Sequence, residues 1–142
     1  MAIDFKKQLK QNLLAILSIA IAISALAYNS WRNELSEENR NYRAAGFEIM
    51  REAAHLQYLI ELTTYASDKK KEDPISGWVK VNLIVSLSKL MMPEILVSAE
   101  NLKISWIDNL SSLGESETAN QRITEANEAL VAKVRKHLLA LH

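Results

Sequence analysis

Asn12 to Tyr28 reads NLLAILSIAIAISALAY and carries no charge. Lys6, Lys7 and Lys10 stand just before it and Arg32 just after it. A bilayer-spanning helix needs about 20 mostly apolar residues, with a lower limit near 17. Leu13 to Ala27 gives 15, so the aliphatic run alone is short. Tyr28 and Trp31 extend it, because amphipathic rings favour the headgroup level. Ser18 and Ser24 are tolerated, since a hydroxyl can bond a carbonyl one turn back. Lys10 and Arg32 can carry their charges outward along apolar stems and mark the two ends. Residues 12–31 therefore read as a transmembrane anchor, residues 1–11 as a short basic tail and residues 32–142 as an extramembrane domain.

Two other readings compete. A cleaved secretory signal would use residues 1–11 as its basic region and Ala25-Leu26-Ala27 as a small-x-small cleavage site. Against it, no polar segment or helix breaker precedes the cut, and the residues that follow continue the helix. A buried core helix would need a large domain around a stripe that is apolar on every face. The uncleaved anchor is the expectation. Taken together, Lys6, Lys7 and Lys10 lie nearer the span than Arg32, Arg40 and Arg43, and the terminal amine adds one charge. The positive-inside rule then puts the N-terminus inside and the C-terminal domain outside. In a bacterium that is an inner-membrane protein with a periplasmic domain. The chain has no cysteine, which excludes disulfides and thiolate metal sites and fits any compartment.

The 142 residues hold 17 basic and 17 acidic side chains. Beyond residue 27 they leave 14 basic and 16 acidic, a balance that gives no general electrostatic reason to bind nucleic acid. Three glycines and two prolines are far below ordinary usage and point to long helices. The expected fold is all-α: a single N-terminal transmembrane helix continues into a long helix, which packs with three shorter helices as a small antiparallel bundle.

Helical spacing carries the first helix from Lys10 to about Ala66 through Tyr28, Trp31, Leu35, Tyr42, Ala45, Ile49, Ala53, Leu56, Ile60 and Thr63. At 1.5 Å per residue it would measure about 80–85 Å. Ser36 to Asn41 is its weak stretch, wholly polar and containing poor helix formers, so a kink or break there is the alternative to one continuous helix. Ser67 to Ser76 (SDKKKEDPIS) is the clearest loop. A second helix follows from about Gly77 to Met91, with Trp78, Val81, Ile84, Val85 and Ser88 on one side. Its valines and isoleucines make a strand the rival reading for residues 79–87. Met92-Pro93 marks a boundary, because the residue before proline avoids the helical region while proline suits a first turn. A third helix runs from Pro93 to about Leu110, turning Ile95, Ala99, Leu102, Trp106 and Leu110 inward. Ser116 can cap a fourth, which carries Ile123, Ala126, Leu130, Val134, Leu138 and Leu141. Lys133, Arg135, Lys136 and His137 crowd its last turns, where the helix dipole favours positive charge. Trp78 and Trp106 are the expected core anchors.

No motif for chemistry emerges. Glu52-Ala53-Ala54-His55 places a Glu-x-x-His on a helix, but di-iron bundles use two such pairs and two further glutamates. His137 has valine, not glutamate, three residues before it. Neither a nucleophile elbow nor a phosphate-cradling glycine loop nor a dinucleotide fingerprint is present. The expectation is no enzyme, no catalytic or metal-binding residue and no cofactor. Lys69-Lys70-Lys71 is followed at once by Glu72 and Asp73, which cancel most of its field toward anionic lipid.

The segment WRNELSEENRNYR is densely polar beside the span. Trp31, Arg32, Glu34, Leu35, Arg40, Tyr42 and Arg43 are its candidate partner-contact residues, since apolar seams interleaved with charge specify helix pairing. The expected role is a structural or interaction subunit beside the bilayer. Its partners would be the lipid bilayer and another membrane or periplasmic protein, or the chain itself. In outline the arrangement also resembles the membrane-attached bundles of bacterial chemoreceptors. That likeness is architectural and implies a small ligand held between helices. No second apolar run follows, so a sensor of this kind would need a separate signalling partner.

Overall fold

The computed structural model describes Lys10, residues 12–65 and residues 74–141. Residues 1–9, Gln11, residues 66–73 and His142 lie outside the described residues, and with them most of the expected basic tail and of the loop expected at 67–76. The described chain is helical and contains no strand. Helix α1 spans Leu13–Tyr65, α2 Pro74–Ser88, α3 Pro93–Asn109 and α4 Glu117–Ala140, with a 3-10 turn at Leu110–Ser112 between the last two. The chain divides into two compact units, Met1–Glu38 and Asn39–His142, which share α1.

In the first unit every described side chain is exposed. Ser18 Oγ donates to the Leu14 carbonyl at 2.8 Å, so its hydroxyl is satisfied inside the helix. Tyr28 and Trp31, one turn apart, hold their rings 6.2 Å apart in a tilted arrangement.

The second unit is a helical bundle. Its core takes Ala45, Ile49, Ala53, Leu56 and Ile60 from α1, Val81, Ile84 and Val85 from α2, and Met91 from the turn that follows. Ile95, Ala99, Leu102 and Trp106 come from α3, and Ile123, Leu130 and Val134 from α4. Each set recurs at three- and four-residue intervals, which places it on one face of its helix. The strand reading of residues 79–87 is overturned: an isolated β segment would leave its backbone unpaired, while helix α2 satisfies it internally and buries one apolar stripe.

Helix α4 runs antiparallel to α1. Leu138 packs over Gly46, Asn127 Nδ2 donates to the Ala53 carbonyl at 2.9 Å, Gln57 Nε2 donates to Thr124 Oγ1 at 3.2 Å, and Asn120 Nδ2 donates to Thr64 Oγ1 at 2.8 Å. Positions rise along α1 as they fall along α4. Each of these polar bonds fits a single register, because a shift along the helix would strand a buried amide.

Asn120 also organises the approach to α4. Its Oδ1 accepts from the Gly114 N–H at 2.9 Å. Gly114 has φ +77°, and a β-carbon there would lie 2.7 Å from the Thr63 carbonyl oxygen. The turn needs glycine both for its left-handed backbone and for its approach to the end of α1. Ser116 then caps α4, its Oγ accepting from the Ala119 N–H at 3.3 Å. Ser116→Ala is expected to lower stability by about 1 kcal/mol, read as a lower urea midpoint with an unchanged slope.

Helix α1 passes through residues 36–41 without a break, as the continuous-helix reading expects. One boundary needs correction. Helix α2 opens on Pro74, three residues before the expected start at Gly77 and inside the expected loop, because proline fits the first turn of a helix without losing a bond. The seam expected along α1 is buried only from Ala45 onward: Tyr28, Trp31 and Leu35 are exposed. Of the two expected anchors, Trp106 is fully buried while Trp78 is half-buried at the core's edge.

Candidate functional site

The seven candidate contact residues fall on different units. Trp31, Arg32, Glu34 and Leu35 are exposed on the Met1–Glu38 unit. Arg40, Tyr42 and Arg43 belong to the bundle unit. There Tyr42 is half-buried and meets His137 edge-on, with ring centroids 5.4 Å apart at 81°. Arg43 Nη2 donates to the Leu141 carbonyl at 3.1 Å. The last carbonyls of a helix have no partner within it, and an arginine from a neighbouring helix satisfies one of them here. Tyr42 and Arg43 thus hold the C-terminal end of α4 against α1.

The Glu-x-x-His pair on α1 sits in an ion-pair cluster. Glu52 is buried. Its Oε2 accepts from Lys80 Nζ of α2 at 3.2 Å, and Arg51 Nε and His55 Nδ1 each stand 3.6 Å from its Oε1. Arg51 also pairs with Glu48. His137, the second imidazole, packs against Tyr42. Among the described residues no group of three His, Asp or Glu side chains could hold a metal ion together. The cluster's evident role is to join α1 to α2. Lys80→Met is expected to cost about 2 kcal/mol, because it leaves a buried carboxylate short of its main donor. Adding Glu52→Leu should recover much of that loss, since removing both charges leaves no buried ion uncompensated. Urea titrations of the two single variants and the double variant measure the coupling.

A groove of about 500 Å³ lies between α1 and α4. Met50, Ala53, Ala54, Val131 and Ala132 give it apolar walls, Gln57 and Asn127 bring amides, and Glu128 and Arg135 add opposite charges. Asn127 is 3% exposed. Its Nδ2 is held by Ala53, while its Oδ1 has no donor among the described residues, nor has Gln57 Oε1. Apolar walls with a few polar atoms are the general make-up of small-molecule sites. Neither Asn127 nor Gln57 stood out in the sequence as a site residue. The available signal was position: Asn127 falls four residues after Ile123 and three before Leu130, on the core stripe of α4.

No family model matches the chain, and no curated protein or solved structure shows significant similarity to it. A four-helix bundle hosts many unrelated functions, so the functional reading rests on the residues themselves.

Proposed function

We propose that this chain is a single-pass membrane protein whose helical bundle acts as a structural or interaction subunit beside the bilayer. The observation that carries the reading is the contrast along α1. From Leu13 to Leu26 its leucines and isoleucines are exposed, up to 81% at Leu14, while residues 45–60 of the same helix supply the bundle core. The segment is long and apolar enough to cross a membrane, and none of it is buried. Burial of each large aliphatic side chain is worth about 1.5–3 kcal/mol, so an apolar surroundings for this segment is strongly favoured. The lysines before the span favour an inside N-terminus and a bundle on the outer side, the periplasm in a bacterium.

A reporter fused at the C-terminus, read together with the intact mass of the mature protein, tests this. The expected result is an uncut N-terminus and a reporter active only outside the cytoplasm. A mature chain beginning at Tyr28 would replace the anchor with a cleaved signal.

The α1–α4 groove favours a second reading, a small-molecule sensor that works with a separate signalling partner. Its mostly apolar lining, with Glu128 and Arg135 near two amide oxygens, suits a small zwitterion with an apolar body. A thermal-shift screen of amino acids and organic acids should then raise the melting temperature for members of that class, and a flat response across the screen counts against it.

A further inference from the structure

The groove between α1 and α4 holds two kinds of unmet polar group. The first is a pair of amide oxygens. Asn127 is 3% exposed, and its Nδ2 is fixed on the Ala53 carbonyl at 2.9 Å. Its Oδ1 and the Oε1 of Gln57, one turn along α1 from Ala53, have no donor among the described residues. A buried acceptor without a donor costs stability, and native cores keep few of them. The second is a pair of opposite charges. Glu128 and Arg135 are exposed and line the groove from α4. Neither makes an ion pair among the described residues, in contrast to Glu52 and Lys80 between α1 and α2.

We infer that the groove binds an extended zwitterion, a straight-chain ω-amino acid. Its ammonium sits at the Glu128 end beside the amides of Gln57 and Asn127, and its carboxylate sits on Arg135. The inference deepens the sensor reading above and rests on it.

Spacing selects the ligand. Glu128 and Arg135 are seven residues apart, nearly in line on one face of α4 and about 10.5 Å apart along its axis. Met50 and Gln57 repeat that spacing on α1. The register puts the amides at the Glu128 end: Asn127 precedes Glu128, and Gln57 donates to Thr124, one turn back. Between the two ends the walls are apolar, from Met50, Ala54, Val131 and Ala132. An α-amino acid is too short, since standard bond lengths hold its ammonium nitrogen about 2.5 Å from its carboxylate carbon. Six extended bonds, as in 6-aminohexanoate, separate the same atoms by about 7 Å. Charge-assisted hydrogen bonds of about 2.8 Å at the two ends cover the remainder. A fatty acid would leave Glu128 and the amide oxygens unmet, and an alkylamine would leave Arg135 unmet. An apolar dipeptide would set its own amide against Val131 and Ala132 without a partner.

Both amide oxygens are closed to solvent in the free bundle. Gln57 is the side chain that yields. It is half-buried and held by long bonds, 3.3 Å to Glu61 Oε1 and 3.2 Å to Thr124 Oγ1. Turning it opens its Oε1 to the groove, where an ammonium supplies up to three donors.

The test uses the full chain in maltoside detergent and isothermal titration calorimetry. 6-Aminohexanoate and norleucine are isomers that differ in charge separation, and 6-hydroxyhexanoate lacks the ammonium. 6-Aminohexanoate is expected to bind roughly tenfold or more tighter than either of the others. Glu128→Gln and Arg135→Gln should each weaken it by about tenfold or more, the loss of a charge-assisted hydrogen bond. Both side chains are exposed, so the ligand-free melting temperature of each variant should match that of the wild type. Norleucine binding as tightly as 6-aminohexanoate overturns the inference and leaves the sensor reading standing. 6-Aminohexanoate binding that either substitution leaves unchanged also overturns it, because the ligand then does not bridge the two charges. Absence of 6-aminohexanoate binding overturns it as well, and the sensor reading falls with it only if the wider thermal-shift screen is also flat.

Discussion

Trp106→Ala is expected to destabilise the bundle by about 3–5 kcal/mol, the range for truncating a fully buried large aromatic side chain. Trp106 is the largest fully buried side chain and is 1% exposed. Its six-membered ring lies against Gly77 at the start of α2, where an added β-carbon would overlap it. The side chain therefore holds α2 to the far end of α3, and its removal opens a cavity that the neighbouring backbones cannot close. The indole Nε1 is buried without an acceptor among the described residues. Trp106→Phe removes that unsatisfied donor along with part of the volume, so it should cost much less, about 1–2 kcal/mol. Gly77→Ala should cost about 1–3 kcal/mol by overpacking. Because the two sites touch, Gly77→Ala with Trp106→Phe should cost less than the sum of the single changes. Urea unfolding followed by far-ultraviolet circular dichroism measures all four. Additive losses would show that the ring and the glycine are not packed as described.

The features of the bundle that were legible in the sequence are those that repeat. The inward faces at 81, 84, 85 and 88, at 95, 99, 102 and 106, and at 123, 130 and 134 follow from apolar periodicity, and the structure buries them. Ser116 and Pro93 mark helix starts by local chemistry, and both do so here. Periodicity could not reveal where on α1 burial begins. Tyr28, Trp31 and Leu35 keep the spacing of Ala45, Ile49 and Ala53, but burial depends on which other helices reach that level. Residues 36–41 stay helical despite their poor helix formers, because a few tenths of a kcal/mol per residue is too little to stop a helix already running on both sides.

The polar contacts were the least legible part. Glu52, Asn120 and Asn127 lie on core stripes, where polar residues normally argue against burial. Their partners, Lys80, Thr64 and the Ala53 carbonyl, are 28, 56 and 74 residues away in the chain. Only the packing of the helices brings each pair together. The same reason explains Tyr42 and Arg43, whose contacts with the end of α4 cross almost the whole bundle sequence. A polar residue that falls on an apolar stripe at the correct interval is the one advance sign of such a contact.

Replacing both Ile19 and Ile21 with arginine is expected to remove the chain from the membrane while leaving the bundle folded. An isoleucine near the middle of a span contributes about −0.3 to −0.6 kcal/mol to insertion and an arginine about +2.5 to +3.5, so the two changes together oppose insertion by about 6 kcal/mol. That exceeds what a short run of 15 aliphatic and small residues, extended by Tyr28 and Trp31, can be expected to spare. The core begins at Ala45, and every described side chain before Asn39 is exposed. The substitutions therefore touch nothing that holds α1 to α2, α3 and α4. The wild-type chain should stay in the carbonate-washed membrane pellet and the double variant should move to the supernatant, with the urea midpoint of the bundle shifted by less than about 0.5 kcal/mol in equivalent stability. Loss of helicity along with loss of membrane association would instead mean that residues 13–27 pack against protein, and a double variant that stays in the pellet would mean that another part of the chain holds it there. The two readouts are needed together because a spanning segment and a core helix share the same composition and differ only in what surrounds them.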